Sequence, residues 1–272
     1  MSQPNQGDVI ANGIRIHYYR TGGDKQPVVF SHGQTDSGEC WPRVVEALRA
    51  DYDVITYDAR GHGRSEAPER DYSADARAAD LAGLCAALGL EKPFLVGHSM
   101  GGETTTYCAA AYPDLPRAVV LEDPPFIPGI YLDSEADRLA YAKSFRAQIE
   151  ARRVKSHAEV VAEGHVEHPT WAEEEFEGWA WAKIRLSPYM GDRRYILPRR
   201  TWRETLPAIT CPVLLITADV ALGARITPEV EREAAALLRR GTVVNVPDAG
   251  HNVRREQLEA YIENVRAFLG KF

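Results

Sequence analysis

Phe94-Leu95-Val96-Gly97-His98-Ser99-Met100-Gly101-Gly102 is the stretch on which the reading of this chain turns. Its leading apolar residues read as a short buried strand, and Gly97-His98-Ser99-Met100-Gly101 matches the pattern G-x-S-x-G. A helical run over 103–112 follows directly. A serine caught between a strand end and a helix start sits at the tip of a sharp turn, where the backbone is strained and only small neighbours leave room. Gly97 and Gly101 supply that room, and Gly102 lets the helix approach the sheet. The turn lifts the Ser99 hydroxyl clear of the strand, and the Met100 amide at the helix start points to where a tetrahedral oxyanion would form.

The same alternation runs outward in both directions. Upstream, Ile14-Arg15-Ile16-His17-Tyr18-Tyr19 alternates as an antiparallel strand does. Pro27-Val28-Val29-Phe30 leads into Ser31-His32-Gly33-Gln34, and Asp53-Val54-Ile55-Thr56-Tyr57 leads into Asp58-Ala59-Arg60-Gly61-His62-Gly63-Arg64-Ser65. Downstream, Ala118-Val119-Val120-Leu121-Glu122-Asp123, Pro212-Val213-Leu214-Leu215-Ile216-Thr217 and Thr242-Val243-Val244-Asn245-Val246 read as further strands. Helical runs cover 41–49, 75–88, 228–238 and 256–269. Strands alternating with helices imply an α/β fold whose mostly parallel, twisted sheet is covered by helices on both faces. Residues 124–202 break the rhythm with helical, charged and aromatic-rich sequence. The expected organisation is therefore a core of residues 1–123 and 203–272 carrying a helical lid over 124–202.

A chain of 272 residues with 44% apolar side chains can bury one large core together with such an insert. A net charge of −7 argues against nucleic acid or an anionic membrane as a partner. Residues 1–8 lack the basic and apolar regions of a signal peptide, and no apolar stretch reaches the length of a membrane span. Cys40, Cys85, Cys108 and Cys211 share no metal-ligand or redox spacing, which fits reduced thiols in the cytoplasm.

In order along the chain, His32-Gly33, Asp58-x-Arg60-Gly61-x-Gly63-x-Ser65, Gly97-x-Ser99-x-Gly101, Glu122-Asp123-Pro124-Pro125 and Asp248-Ala249-Gly250-His251 resemble the motifs of the α/β-hydrolase superfamily over nearly the whole length. A serine hydroxyl needs a base to take its proton and a third group to orient that base. Of eight histidines, His98 is adjacent to Ser99 within the turn, His32 and His62 sit in strand-end turns, His17 lies in a strand, and His157, His165 and His168 lie in the lid. His165 and His168 alone make a poor metal site. His251 follows a strand, precedes the last helix, and has the place of the base in the order that the resemblance implies.

The acid has three candidates. Many members of the superfamily place it after the strand that here ends at Thr217, two positions past Asp219, where this chain has Ala221. Asp219 itself is one candidate; Glu122 and Asp123 are the others. Haloalkane dehalogenases and macrolactone-cleaving hydrolases are similar in placing the acid at the position matching Asp123. Neighbours on a strand face opposite ways, so only one of Glu122 and Asp123 aims at His251. Pro124 biases Asp123 towards an extended backbone, which carries its carboxylate beyond the sheet edge and favours Asp123 as the acid. The resemblance also implies an oxyanion site formed by the amides of Gln34 and Met100, with no metal or organic cofactor. Asp58, Arg60 and Ser65 are read as tying their own turn together.

The lid holds Trp171, Phe176, Trp179, Trp181, Tyr189 and Trp202, with Phe126, Ile127 and Tyr131 at its entrance. Trp179, Phe126 and Tyr189 are the expected substrate contacts, although a lid needs an apolar core of its own. The expected activity is hydrolysis of a hydrophobic, bulky ester or lactone through an acyl-enzyme, with a homodimer as the candidate assembly. A C–C bond hydrolase, favoured by Arg193, Arg194, Arg199, Arg200 and Arg203, and a hydrolase-like receptor for small molecules are the alternatives.

Overall fold

The computed structural model describes residues 5–126, 134–191 and 200–272. Eight strands are present among them: β1 (Asn5–Ala11), β2 (Ile14–Arg20), β3 (Pro27–Ser31), β4 (Asp53–Tyr57), β5 (Phe94–His98), β6 (Val119–Glu122), β7 (Val213–Ala218) and β8 (Gly241–Val246). They form one sheet in the order β1-β2-β4-β3-β5-β6-β7-β8. The β1–β2 and β2–β4 pairs are antiparallel and all the others are parallel. The helices are α1 (Pro42–Leu48), α2 (Ala74–Ala87), α3 (Met100–Ala111), α4 (Glu135–Arg153), α5 (His157–Glu167), α6 (Glu174–Arg185), α7 (Trp202–Thr205), α8 (Pro228–Leu237), α9 (Val253–Glu256) and α10 (Leu258–Leu269).

The central strands read as unbroken apolar runs because both faces of the sheet are buried. Val29, Leu95, Leu121 and Leu215 point to one face and pack with Leu81, Cys85 and Tyr107 from α2 and α3. Val28, Phe30, Val96, Val120 and Leu214 point to the other and pack with Val44 and Leu48 of α1 and Tyr261 and Val265 of α10. Between β6 and β7 the chain runs through α4, α5 and α6, and Val160, Trp171, Phe176, Trp179 and Ala180 form a separate small cluster there.

Two elements differ from the sequence reading. No strand was expected before Ile14, yet β1 pairs with β2 from Asn5 opposite Arg20 to Ala11 opposite Ile14. Its side chains are mostly exposed, so it carries no apolar stripe; the signal lies in Asn12-Gly13, both at positive φ (49° and 79°), as a two-residue hairpin turn requires. The expected helix over 256–269 begins two residues later as α10, and the short helix α9 precedes it, with Gln257 at φ −135° between them. The Glu256 and Gln257 side chains turn back to bond the Gly250 amide and the Asp248 carbonyl, which anchors the break to the loop before it.

At Gly97 and Gly101 the β5–α3 turn leaves no space for a side chain. A Cβ on Gly97 would lie 2.2 Å from the Gly101 carbonyl oxygen, and one on Gly101 would lie 1.9 Å from the carbonyl oxygen of Ser31. Backbone atoms of three elements meet there and none of them can swing aside. Gly101→Ala is therefore expected to destabilise the fold by about 3 kcal/mol or more. Gly89→Ala, at φ 63° with nothing within 4 Å of the added carbon, should cost only about 1 kcal/mol. Urea unfolding midpoints of the two variants compare them, and equal losses would contradict the packing argument.

Candidate active site

Ser99 occupies the bend between β5 and α3 at φ 52° and ψ −119°, a strained conformation for a residue with a side chain. Its amide bonds the Glu122 carbonyl at 3.0 Å, and the Glu103 amide bonds the Ser99 carbonyl at 3.0 Å, so the strained residue is held from both sides. His251 Nε2 lies 3.0 Å from Ser99 Oγ, and His251 Nδ1 lies 2.6 Å from Asp123 Oδ2. One imidazole thus bridges a hydroxyl and a carboxylate that are 24 residues apart in sequence but stand at the ends of adjacent strands.

Of the three carboxylates considered from the sequence, Asp123 is the one in contact with His251. It is fully buried, and its oxygens accept bonds from the Arg225 amide (3.0 and 2.8 Å) and the Ile226 amide (3.1 Å). Its backbone is not extended, as the following proline suggested, but at φ 37°. The amides of Arg225 and Ile226 bind the carboxylate and hold that conformation. Glu122 faces the other way, accepting the Arg254 amide at 3.0 Å, and burial pushes its carboxyl up from the usual range. Asp219 accepts the Asp248 amide at 2.8 Å, so it braces the loop that carries His251.

The histidines left out of the relay have structural places of their own. His98 bonds the His251 carbonyl through Nε2 at 2.8 Å, and burial holds it well below its ordinary pKa. His32 Nε2 accepts the Ala59 amide at 3.0 Å, which obliges Nδ1 to carry the proton and donate to the Gly33 carbonyl at 2.8 Å. That ring is neutral, its pKa pulled down to about 3 by burial. His62 Nε2 lies 2.9 Å from the Gln34 carbonyl and its Nδ1 lies 2.9 Å from that of Arg60. Together these two rings fix the loop after β3. Gly33 lies against the bend: a Cβ there would come 3.6 Å from Ser99 Cβ and 3.0 Å from His98 Nδ1. Gln34 therefore follows a residue whose backbone passes close to Ser99, and Met100 opens α3 directly after it.

Asp58 accepts the amides of Gly38 and Arg64 at 2.7 and 2.8 Å, while Arg60 clasps Asp80 through two bonds of 2.6 Å. Both belong to the turn after β4. Phe126 is buried and stacks on Trp202 at 5.2 Å, in the same apolar cluster as Met100. Trp179, expected at the substrate, instead packs into the small cluster of α5 and α6, because that helix pair has to bury an apolar face of its own. Tyr189, also expected there, lines a hollow of about 330 Å³ with Arg146, Arg153 and Arg185, and neither Ser99 nor His251 belongs to its described lining. Arg200 and Arg203 pair with Asp75 and Glu233. Ile127, Tyr131, Arg193, Arg194 and Arg199 lie outside the described residues. Among the described residues no three His, Cys, Asp or Glu side chains gather as a metal site, and no helix is long and apolar enough to cross a membrane.

A family model described as the alpha/beta hydrolase fold matches residues 26–254. The chain is 31% identical over 266 residues to N-formylmaleamate deformylase of Pseudomonas putida, a match covering 97% of this chain and 96% of that protein. Among solved structures it resembles the N-formylmaleamic acid deformylase of Pseudomonas putida S16, with a TM-score of 0.78, 27% identity and coverage of 96% and 100% of the two chains. It also resembles a thermophilic esterase from Thermogutta terrifontis, with a TM-score of 0.73, 25% identity and 98% of each chain covered.

The neutral state of His32 has a consequence for stability. In the unfolded chain the ring gains a proton below about pH 6.5, whereas the folded protein keeps it neutral down to about 3. Its contribution is complete above the upper value and is lost as the pH falls through that window. His32→Gln, which retains an acceptor and a donor but does not titrate, should be less stable than the parent at pH 7. The gap should then narrow by about 1.4 kcal/mol per pH unit on acidification. Urea titrations at a series of pH values measure this, and a gap independent of pH would refute it.

Proposed function

Since the chain belongs to the alpha/beta hydrolase fold family, we propose that it is a serine hydrolase cleaving a carboxylic ester or lactone through an acyl-enzyme. The observation that carries this reading is the continuous relay from Ser99 Oγ through His251 to Asp123, with contacts of 3.0 and 2.6 Å. In this reaction His251 Nε2 takes the Ser99 proton as the hydroxyl oxygen attacks the acyl carbon. Asp123 keeps the proton of the resting imidazole on Nδ1 and stabilises the imidazolium that forms. The amides of Gln34 and Met100 receive the carbonyl oxygen as it gains negative charge, helped by the N-terminus of α3. Collapse of the tetrahedral intermediate breaks the acyl C–O bond, and His251 returns the proton to the leaving oxygen. A water molecule, deprotonated by the same imidazole, then releases the acid. Residues 124–202 act as a lid on the core in this reading, with Phe126 and Trp202 offering an apolar wall beside Met100.

A second reading has its own support, the full-length likeness to a deformylase. An N-acyl bond would be broken by the same steps, with nitrogen in place of oxygen as the leaving atom protonated by His251. The two readings share every residue of the relay and differ in the leaving group.

A panel of 4-nitrophenyl esters, lactones of increasing ring size, and N-formyl and N-acetyl enamides separates them by kcat/KM. A fluorophosphonate should label Ser99 in the parent and nothing in Ser99→Ala. Asp123→Asn should lower kcat by about 10³- to 10⁴-fold, while Asp219→Asn should stay within about tenfold, since it acts only through the loop. No turnover of any class, or hydrolysis that survives Ser99→Ala, would overturn the proposal.

A further inference from the structure

Six ionisable side chains that take no part in the proposed reaction meet in one buried cluster: Asp36, Glu122, Glu175, Lys183, Arg254 and Arg255, each no more than 6% exposed. Asp36 is its hub. Its Oδ2 lies 2.8 Å from Arg254 Nη2 and 3.4 Å from Arg255 Nη1, and its Oδ1 lies 3.5 Å from Lys183 Nζ. Arg254 also reaches Glu122 at 3.4 Å, and Arg255 reaches Glu175 at 3.0 Å. Asp36 is two residues past Gln34, Glu122 immediately precedes Asp123, and Arg254 is three residues past His251. The cluster therefore ties together the chain segments that carry the oxyanion amide, the acid and the base.

Lys183 stands apart from the rest. It comes from α6, in the segment between β6 and β7, and its shortest contacts are not ionic: Nζ donates to Thr35 Oγ1 at 2.6 Å and to the Thr35 carbonyl at 2.8 Å. Thr35 is the residue after Gln34. Lys183 brings the cluster to three cations against three carboxylates, but Asp36 has two guanidinium partners at shorter distances, and the closest partners of Nζ are the two oxygens of Thr35. Burying an ammonium group is costly unless it is paired and hydrogen-bonded, and Asp36 and Thr35 together supply those partners. The rest of α6 follows the same loop. Gly178 lies so close to it that a Cβ would come 2.2 Å from the Glu39 carbonyl oxygen, and Arg185 Nη1 bonds Glu39 Oε2 at 2.7 Å.

We propose that Lys183 is a positioning residue for the oxyanion site: by bonding Thr35 from α6, it holds the Gln34 amide where the developing negative charge will lie. The inference rests on the hydrolase reading above and adds a residue on a different segment of the chain, supplied by the insert and not by the sheet. Through it, seating of α6 on residues 35–39 and completion of the oxyanion site become one event.

Lys183→Met keeps the length of the side chain and removes both bonds to Thr35. On the best ester of the panel it should lower kcat by about 10- to 100-fold. Affinity for an alkyl trifluoromethyl ketone, which adds to Ser99 as a tetrahedral adduct, should fall by the same factor as kcat/KM. Ester binding, measured in a Ser99→Ala background with and without Lys183→Met, should change less than about threefold. A purely structural lysine would weaken ester and ketone binding alike. That result, or an unaltered kcat, overturns the proposal. Should Lys183→Met not fold, Thr35→Val deletes the Oγ1 acceptor without leaving a buried charge unpaired. It is then expected to lower kcat by about 3- to 10-fold with the same split between the two ligands, and an unaltered kcat would again count against the proposal. A parent protein that neither turns over the panel nor labels at Ser99 would instead remove the hydrolase reading, and this inference with it.

Discussion

The geometry of the site depends on backbone touching backbone at the β5–α3 turn. Gly97, Gly101 and the carbonyl of Ser31 come together so tightly that no Cβ fits, and that approach forces Ser99 into its strained conformation. A bend of this kind costs about 1–3 kcal/mol, which the two apolar faces of the sheet readily offset. A relaxed turn would bring the hydroxyl back towards the sheet and away from the imidazole. Strain at Ser99 and its exposure to His251 are two aspects of one constraint.

A second strained residue ends the neighbouring strand. Asp123 at φ 37° follows β6 as Ser99 follows β5, and the two strands are paired in parallel. Parallel strands bring their carboxyl ends to the same edge of the sheet, where a ligand can approach them all. His251 reaches over that edge from the loop after β8, braced by His98 at its carbonyl and by Asp219 at the start of its loop. Buried histidines share in holding these loops: His98 bonds the His251 carbonyl through Nε2, His32 uses both ring nitrogens, and burial keeps both rings uncharged.

The segment between β6 and β7 meets the rest of the chain through polar contacts as well as apolar ones. Trp171, Phe176 and Trp179 form a small cluster of its own, while Lys183 and Arg185 reach across to residues 35 and 39. This division makes physical sense. Apolar contact holds α5 and α6 together as a unit, whereas hydrogen bonds, being directional, set that unit in one register on the loop beneath it.

Much of this was legible in the residues alone. Continuous apolar runs such as Pro212-Val213-Leu214-Leu215-Ile216-Thr217 announce strands buried on both faces, and the spaced glycines around Ser99 announce the bend. Other features carried weaker signals. β1 is built by backbone pairing and has almost no apolar face, so its trace is confined to the Asn12-Gly13 turn. Helical wheels do not say which helix a ring will meet, and Trp179 packs into the cluster that α6 forms with α5.

The chain by itself determined its fold class, the serine at the bend, and the histidine that follows the last strand, because each is written in local patterns of size and polarity. Only the tertiary structure decided which of three carboxylates meets His251, and that Asp36, Glu122, Lys183 and Arg254 share one buried cluster. Those contacts join residues up to 218 positions apart, and their distances are set by how strands and loops pack in space, which no local pattern records.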